Sequence, residues 1–586
     1  MKKYAIVIII SIFLLSCDQK SKVKLTQDIP LPHDPATSNC TVGKYGGTLV
    51  IASAGEPKTF NPIMCNESSS SDVISRMCEG LTTINNKTQK VTNQGLAKSW
   101  KVSKDGKCWT FNLRKGIYWS DGHPFTADDV IFTFKVIYDP KIHPATVDSL
   151  IVNGKKFKVE KIDNYTVKIT TPTIYAPFLR VISLAIIPKH KFEKSYQEGN
   201  FESAYSVNTK PENMAWIGSF KLEKFLPAQK TVLVRNPYYF KIDKKRNRLP
   251  YLDRIVFVAV PDFNAVSMNF LAGETDLIDS IRSEDYAPIK AAEKKGNYTI
   301  YKINYGLGSS FLWFNLRTDK NPKTSKYYVN PIKSKWFTNV EFRQALSHAI
   351  DQKSIIDTIF LGMGYQRWGI DSPAAKIWYN PDIKKYPFSL KKSEQLLTKA
   401  GFIKKDNILY DSKGNRVEFT LFTNSENDVR IKIANLIKHD YQKLGVTMHI
   451  NPVDFNSLVS KINDTFDYEA CLLGLGGGDI DPVSHMNVLK SSGFTHLWWP
   501  KQKKPATLWE AEIDELMDKQ LTTLEFKKRR EIYNKVQEII MNNCPMLYLP
   551  GRTLYLAAKN KIGNIKPTVL EHRLLWNQEE LYFRDQ

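Results

Sequence analysis

The stretch LAKSWKVSKDGKCWTFNLRKGIYWSDGHPFTADDVIFTFKVIY, residues 96–138, decides the fold of this chain. Its first half has a turn dipeptide, Asp105-Gly106, between two runs at 100–103 and 108–113 that suit a pleated surface. A turn of this kind between two such runs is a strong short-range signal for a hairpin. The sequence therefore predicts a β-hairpin here.

A helix is predicted after a second turn, at Asp121-Gly122. Thr126 and Asp129 stand in a capping-box-like arrangement at its start. The apolar residues that follow at helical spacing are Val130, Ile131, Phe134 and Ile137. The local order is strand, turn, strand, turn, helix.

The residues of this stretch resemble, in order, the signature of the family 5 extracellular solute-binding proteins, the peptide, dipeptide and nickel receptors of ABC importers. That signature runs roughly A-x-S-W, S-x-D-G, then F-x-L-R-x-G-x-x-W/F-x-D-G-x-P-x-T-A-x-D-V, and about fifteen positions match. Residues 340–351 also resemble the family's R-Q-A-x-x-x-A-I-D helix, whereas 217–220 departs from its G-T-G-P-Y element. The resemblance implies an α/β, two-lobed periplasmic-binding-protein fold (type II, cluster C) with an inserted domain and a hinged ligand cleft.

The family fold implies that the chain is divided into segments, most of which belong to one of two lobes. We expect a signal peptide at 1–16, a lipidated flexible tether at 17–43, an inserted small domain at 71–180, lobe I at 44–70, 181–300 and 500–586, and lobe II at 301–499. Within lobe II, the runs 417–423, 431–444 and 446–450 predict a βαβ unit with parallel strands. A late strand at 546–549 is expected to return to lobe I.

The N-terminus has the features of an export signal. Lys2 and Lys3 precede an apolar run at 5–15 that is too short for a membrane span of about 20 residues. Leu14-Leu15-Ser16-Cys17 resembles a bacterial lipobox, which implies that Cys17 carries the lipid anchor. The alternative is an ordinary cleaved signal in which this cysteine is incidental.

The composition fits an exported globular protein. The formal charge of the 586-residue chain is +23, and loss of Lys2 and Lys3 with the signal leaves +21. Such an excess raises nucleic acid as a partner, but the lysines are scattered, no zinc spacing is present, and an exported lipoprotein does not meet nucleic acid. A solvated basic surface near anionic lipid is the simpler interpretation, and that surface could also attract acidic ligands.

Six cysteines remain if Cys17 carries lipid, an even number in an oxidising compartment. Cys65 and Cys78 flank a serine-rich segment and are the favoured local disulfide. The connectivity of the others stays open. None of the spacings is a C-x-x-C motif.

The ligand contacts are expected mainly in segment 471–499. The resemblance implies a W-x-x-D-x-x-D/E-P type element whose aspartate pairs with a peptide's α-amino group, and Gly478-Asp479-Ile480-Asp481-Pro482 keeps the acid and the proline without the tryptophan. Asp479 or Asp481 would take that part, with Glu56 next. The alternative is a turn in which an aspartate caps the segment from Val483.

Aromatic side chains are further candidates for the cleft, although aromatics at such positions are as often core residues. They are Trp119, Trp313, Trp498, Trp499 and Tyr548.

The resemblance implies a function without catalysis: capture of oligopeptides or dipeptides outside the cytoplasm and delivery to an ABC permease in the inner membrane. We expect a monomer, anchored to a membrane at the periplasm or cell surface, with no cofactor and no metal. A nickel or haem receptor of the same family is the alternative, supported only weakly by His485-Met486. An exported hydrolase is a distant third, because no G-x-S-x-G or H-E-x-x-H motif is present.

Overall fold

The computed structural model describes residues 29–584 except 143, 478 and 571. The predicted signal peptide and Cys17 lie outside the described residues, as does Gly478 of the predicted ligand loop. Three sheets organise the described part of the chain, and smaller two-stranded pairings surround them.

The hairpin and helix predicted from residues 96–138 are confirmed. Strand Ala97–Val102 pairs antiparallel with Cys108–Leu113, and helix Ala127–Ile137 follows. The Asp129 carboxylate accepts the backbone N–H of Thr126 at 3.0 Å and so completes the capping box. The four strands of this small sheet are, in spatial order, Ala97–Val102, Cys108–Leu113, Thr166–Thr170 and Lys158–Asp163.

Lobe I is built on a mixed seven-stranded sheet. Its strands are, in spatial order, Phe220–Leu226, Lys230–Arg235, Arg254–Ala259, Thr48–Ser53, Leu277–Ile278, Leu554–Lys559 and Tyr298–Ile303. Thr48–Ser53 lies at its centre and pairs in parallel with both neighbours. The small sheet is inserted in the chain between this central strand and the edge strand Phe220–Leu226.

Lobe II is built on a five-stranded sheet. Its strands are, in spatial order, Thr447–Val453, Glu418–Asn424, Ala470–Leu475, Ser309–Phe314 and Met546–Tyr548. Glu418–Asn424, helix Asp428–Lys443 and Thr447–Val453 form the predicted βαβ unit with parallel strands.

The helices fall into two groups along the chain. Those that precede the first strand of the lobe II sheet are Ser68–Ile74, Ala127–Ile137, Phe178–Val181, Lys189–Gln197, Phe263–Ala272 and Ser283–Ala292. Those after its first strand are Pro331–Thr338, Val340–His348, Gln352–Thr358, Leu390–Lys399, Asp428–Lys443, Phe455–Ser460, Met486–Leu489, Leu508–Leu521 and Phe526–Asn543.

The expectation that the strand near 546–549 returns to lobe I is wrong. Met546–Tyr548 pairs antiparallel with Ser309–Phe314, so it is the edge strand of the lobe II sheet. The helix before it is fixed to the same lobe, because the buried Arg343 guanidinium donates to the carbonyl of Asn543 at 2.8 Å. The chain rejoins the first sheet only at Leu554–Lys559.

The chain passes between the two large sheets at 304–308 and at 549–553, within the described residues. These crossing segments lie side by side, since Leu549 donates its backbone N–H to the carbonyl of Ser310, and the side chain of Leu554 would lie 2.9 Å from a Cβ placed on Gly306. Two lobes joined through short neighbouring segments form a hinge.

The prediction of a flexible tether through residue 43 is wrong for residues 29–43. Ala36–Thr37 adds a parallel strand to Lys241–Ile242, and Ala36 is only 1% exposed. The Arg248 guanidinium donates to the carbonyls of Ile29 and Pro30 at 2.9 and 2.7 Å. A polar, proline-containing run is held here because the buried guanidinium groups of Arg248 in lobe I and Arg114 in the inserted domain bond its carbonyl oxygens.

The disulfide prediction concerns two cysteines that the structure places near each other. Burial, together with the neighbouring Cys65 thiol, raises the pKa of Cys78 well above its ordinary value. The pairing stays a prediction.

The inserted domain also contacts lobe II, and a buried acid that forms no ion pair among the described residues lies in that contact. Asp148, in the short helix Val147–Leu150 packed against Met486–Leu489, has a buried Oδ2 with no hydrogen-bond partner among the described residues. The charged groups facing it are Lys490, Asp514 and Asp518. Burial first, and the two acids second, raise the pKa of Asp148 to about 7, although Lys490 opposes the shift.

We expect the Asp148→Asn variant to remove a pH dependence of stability. Between its ordinary pKa of 3.8 and about 7, the folded protein holds a proton that the unfolded chain has lost. The free energy of unfolding therefore falls as pH rises, by at most about 1.4 kcal/mol per pH unit, and this loss is complete above the folded pKa. In urea unfolding, the free energy of unfolding of the variant minus that of wild type should increase from about pH 5 to about pH 7 and then stay constant.

Asp105→Asn, at an exposed turn, is the matched control, because the pKa of Asp105 is lowered and its titration lies below this range. If the free energies of unfolding of wild type and Asp148→Asn changed equally with pH, Asp148 would not be the group that causes the pH dependence.

Candidate functional site

The candidate site lies where two parallel strands of lobe II end. Glu418–Asn424 and Ala470–Leu475 are neighbours with the same direction, so their carboxyl ends meet at one edge of the sheet. Ligands of open α/β sheets bind outside the carboxyl ends of such strands. Here helix Asp428–Lys443 begins just after one end, and the run from Gly476 to Pro482 follows the other.

The Asp481 side chain forms its contacts within lobe II. Its two carboxylate oxygens accept from the Arg529 guanidinium at 2.6 and 2.8 Å, and the side chains of the pair are only 10% and 8% exposed. It also caps helix Pro482–His485 by accepting from the backbone of Val483 at 3.0 Å. The alternative of a capping turn therefore describes Asp481.

Asp479 faces the inserted domain. Its Oδ1 accepts from Arg180 at 2.6 Å, and each side chain of this ion pair is 15% exposed. Burial raises the pKa of the Asp479 carboxyl, although Arg180 opposes that shift. Of the two aspartates, Asp479 is thus the one whose partner comes from a different structural unit.

Glu56 lies in lobe I, beside the turn that joins the first two strands of the large sheet. Its Oε1 accepts the backbone N–H of Ala228 at 2.7 Å. One carboxylate oxygen of Glu56 is therefore engaged within lobe I.

The aromatic candidates separate by burial. Trp119 is 1% exposed, Trp313 and Trp498 are fully buried, and Tyr548 is 3% exposed, as expected for core residues. The indole N–H of Trp498 donates to Glu510 at 3.0 Å. Trp499 is half-buried and is the one of the five that keeps a substantial accessible surface in this conformation.

Arg430 lies at the strand ends described above, in the first turn of helix Asp428–Lys443. Its Nη1 donates to the side chain of Asn424 at 2.8 Å, and a Cβ placed on Gly474 would come within 3.2 Å of its Nη2. Arg430 forms no ion pair among the described residues. Burial first, and the charge of Arg552 second, lower the pKa of Arg430 to about 10.

Arg552 lies in the crossing segment 549–553. Its side chain makes neither a hydrogen bond nor an ion pair with any part of the chain that the structure describes. Burial first, and the positive charges of Arg573 and Arg282 next, lower the pKa of Arg552 to about 10. Two half-buried guanidinium groups without carboxylate partners thus lie within electrostatic range of each other.

Ion pairs also connect the two lobes in this conformation. Arg282 of lobe I donates to Asp428 of lobe II at 3.0 Å, and Lys432 of lobe II donates to Glu284 of lobe I at 2.7 Å. Lys58 and Asp464 form a longer pair at 3.8 Å. The strand ends at the candidate site are therefore held next to lobe I.

A cavity of about 580 Å³ lies elsewhere, between the turn at Ser120-Asp121 and the edge of the lobe I sheet. Two of its charged lining residues are paired: Asp121 of the inserted domain contacts His190 of lobe I at 2.9 Å, and Arg235 contacts Asp253 at 2.8 Å. Because this cavity lies beside the outer strands of the lobe I sheet, away from the strand ends of lobe II, we place the ligand site between the lobes instead.

Two lobes, neighbouring crossing segments and polar side chains at the strand ends between them define a two-lobed solute-binding protein. The sequence profile described as bacterial extracellular solute-binding proteins, family 5 (middle region), matches residues 92–495. The chain belongs to this family, as residues 96–138 predict.

Individual relatives match almost the whole length. The chain is 28% identical over 540 residues to a probable ABC transporter-binding protein of Deinococcus radiodurans, covering 88% of this chain and 89% of the relative. It is 26% identical over 581 residues to the oligopeptide-binding protein AppA of Bacillus subtilis, covering 96% and 95%. The solved structure of AppA with a nonapeptide superposes with a TM-score of 0.78, over 92% of this chain and 100% of AppA.

A third relative carries a different ligand in its name. Heme-binding protein A of Haemophilus influenzae is 27% identical over 556 residues, covering 92% of this chain and 91% of the relative. Among the described residues, no three His, Cys, Asp or Glu side chains are grouped so that they could hold a metal ion. None of the helices in residues 29–584, gaps apart, is long and apolar enough to span a bilayer.

Sequence reasoning missed Arg180, Arg430 and Arg552. The sequence does contain a signal for Arg430, because a cation in the first turn of a helix interacts unfavourably with the helix dipole unless it has another role. The sequence contains no such signal for Arg180 and Arg552, because their surroundings depend on which distant segments the fold brings together.

We expect Asp481→Asn to act on stability. Removing one member of a buried ion pair leaves Arg529 uncompensated, which typically costs about 3–5 kcal/mol. The free energy of unfolding from urea titration should fall by that order. Asp467→Asn, in the exposed pair with Lys461, is the control and should stay close to wild type. Wild-type stability in Asp481→Asn would contradict a structural role for this pair.

Proposed function

We propose that this protein is the ligand-capturing component of an ABC importer and that it takes up short peptides between its two lobes. The observation that carries the proposal is the convergence of Asp479, Arg430 and Arg552 at the strand ends and crossing segment that face the lobe junction. A peptide has charges of both signs at its ends, so a site with both signs suits it. The names of the relatives from Bacillus subtilis and Deinococcus radiodurans support the same class of ligand and transporter.

Asp479 is the proposed anchor for the peptide's α-amino group. Its present partner, Arg180, belongs to helix Phe178–Val181 of the inserted domain. An incoming ammonium replaces this guanidinium, so the carboxylate is never left buried without a cation. Trp499 lies at the other end of the lobe II sheet, where the carbonyl of Trp498 accepts the backbone N–H of Leu316, so it takes no part in this anchor. Glu56 is the second candidate for the amine.

The cellular setting follows from the N-terminal signal. Cys17 is the proposed lipid anchor, and the folded lobes then lie outside the cytoplasm, tethered to a membrane beside the permease. We propose a monomer, because opening and closing about the crossing segments needs no second copy. A single acyl chain binds membranes only marginally, whereas the two or three chains of a lipoprotein hold stably.

The test of the ligand class is mass spectrometry of small molecules retained by protein purified without denaturation. We expect short peptides. Adding such peptides should raise the unfolding temperature and reduce the radius of gyration, because a ligand that bridges the lobes stabilises the closed state by its preference for it. Nickel or haem retained instead, with compaction on adding either one and none with peptides, would establish the alternative receptor.

The lipid anchor is tested separately by detergent phase partitioning of the full chain expressed in a bacterium. Wild type should enter the detergent phase, and Cys17→Ser should remain aqueous or unprocessed. Cys40→Ser is the matched control and should partition as wild type, since Cys40 is a buried core residue. Equal processing and partitioning of Cys17→Ser and wild type would contradict the anchor.

A further inference from the structure

The charges around the lobe junction are unequally satisfied. Both aspartates of the predicted ligand loop have arginine partners, Asp479 with Arg180 and Asp481 with Arg529. By contrast, Arg430 has only the neutral side chain of Asn424 as a hydrogen-bond partner. The excess charge at this junction is therefore positive.

The acids nearest to the two arginines do not neutralise them. Asp428 is bound to Arg282 at 3.0 Å and to Lys432 at 3.0 Å. Glu426 accepts the backbone N–H of Phe455 at 2.8 Å and the side-chain amide of Asn424 at 3.2 Å. Neither acid forms an ion pair with Arg430 or Arg552 in the described residues.

Other arginines near Arg552 are already paired. Arg282 donates to Asp285 at 2.6 Å, and Arg573 lies 3.4 Å from Asp279. Both add positive potential at Arg552, but each already has a carboxylate partner. Arg430 and Arg552 therefore remain without an ion pair among the described residues, although Glu426 and Asp428 lie within electrostatic range of them.

We propose that Arg430 and Arg552 form a subsite for a pair of carboxylates, so that the preferred ligands are peptides with an acidic C-terminal residue. This inference rests on the proposed peptide-binding function and narrows its ligand class. A guanidinium presents a planar fork that binds one carboxylate through two hydrogen bonds. Two such forks match the α-carboxylate and the side-chain carboxylate of a terminal Asp or Glu.

The location suits this role. Arg430 is fixed to lobe II, at the ends of its parallel strands, whereas Arg552 lies on the segment through which the chain returns to lobe I. Residues 281–282 connect the two places: Arg282 donates to Asp428 at 3.0 Å, two residues before Arg430, and the backbone N–H of Ile281 donates to the carbonyl of Tyr555 at 2.7 Å, three residues after Arg552. A ligand that neutralises both groups removes their mutual repulsion at the hinge. Binding of a dianionic terminus is thereby coupled to the conformation that brings the two arginines together. The net charge, +21 once Lys2 and Lys3 are lost with the signal, adds a long-range attraction for such ligands.

The test compares two tetrapeptide libraries that are random at three positions and end in Glu or in Gln. Wild-type protein should retain the Glu library preferentially, and calorimetry on one selected sequence should give at least tenfold tighter binding than its Gln-ended twin. In Arg552→Gln, affinity for the Glu-ended peptide should fall roughly tenfold to a hundredfold, with a much smaller loss for the Gln-ended twin. Arg416→Gln, an exposed arginine bound to Thr447, is the matched control and should change neither affinity.

A second readout separates binding from structure. Because Arg552 contributes repulsion and no partnered hydrogen bond in the ligand-free protein, Arg552→Gln should keep or raise the unfolding temperature while it weakens binding. A lowered unfolding temperature with equal losses for both peptides would overturn the subsite. Equal binding of the two libraries by wild type would overturn it while leaving peptide capture intact. Retention of no peptide from either library would overturn both the subsite and the proposed function.

Discussion

The two-lobed arrangement depends on how the chain satisfies its polar groups where it passes between the sheets. Arg367 is 2% exposed and donates to the carbonyls of Gly308, Leu307 and Gly369 at 2.7, 3.2 and 3.0 Å, and to that of Ile370. A crossing segment has no sheet partner for these carbonyls, and leaving them unbonded would cost free energy. One guanidinium thus fixes the crossing at 304–308 against the segment 364–370, whose Gly364-Tyr365 pairs with Gly551-Arg552.

This constraint also explains the charge pattern of the junction. Several guanidinium groups that fix segments of the fold are bonded either by carbonyls, as in Arg367 and Arg343, or by a carboxylate, as in Arg529. Arg430 and Arg552, by contrast, form no ion pair with any residue that the structure describes. We infer that these two groups, one on lobe II and one on the crossing segment 549–553, are kept for a ligand.

Local sequence signals predicted local structure well. The turn at Asp105-Gly106 and the capping pair Thr126 and Asp129 act within a few residues, so the hairpin, the helix and the βαβ unit could be read directly. Met546–Tyr548 could not be placed, because all three residues are buried and such an apolar strand fits the edge of either sheet. Whether Trp313 is core or cleft, and whether Asp481 meets a ligand or Arg529, is decided by segments distant in the chain.

The two signs of charge at the junction have different energetic consequences. Asp479 already forms an ion pair with a guanidinium. Exchanging this partner for a ligand ammonium therefore contributes only the difference between the two interaction free energies. An unpaired, half-buried guanidinium gains the whole interaction, because its desolvation has already occurred on folding. In the proposed peptide complex, the anionic end of the ligand therefore contributes more binding free energy than the cationic end, and the arginine pair near the hinge, more than the aspartate loop, would select the peptides that close the lobes.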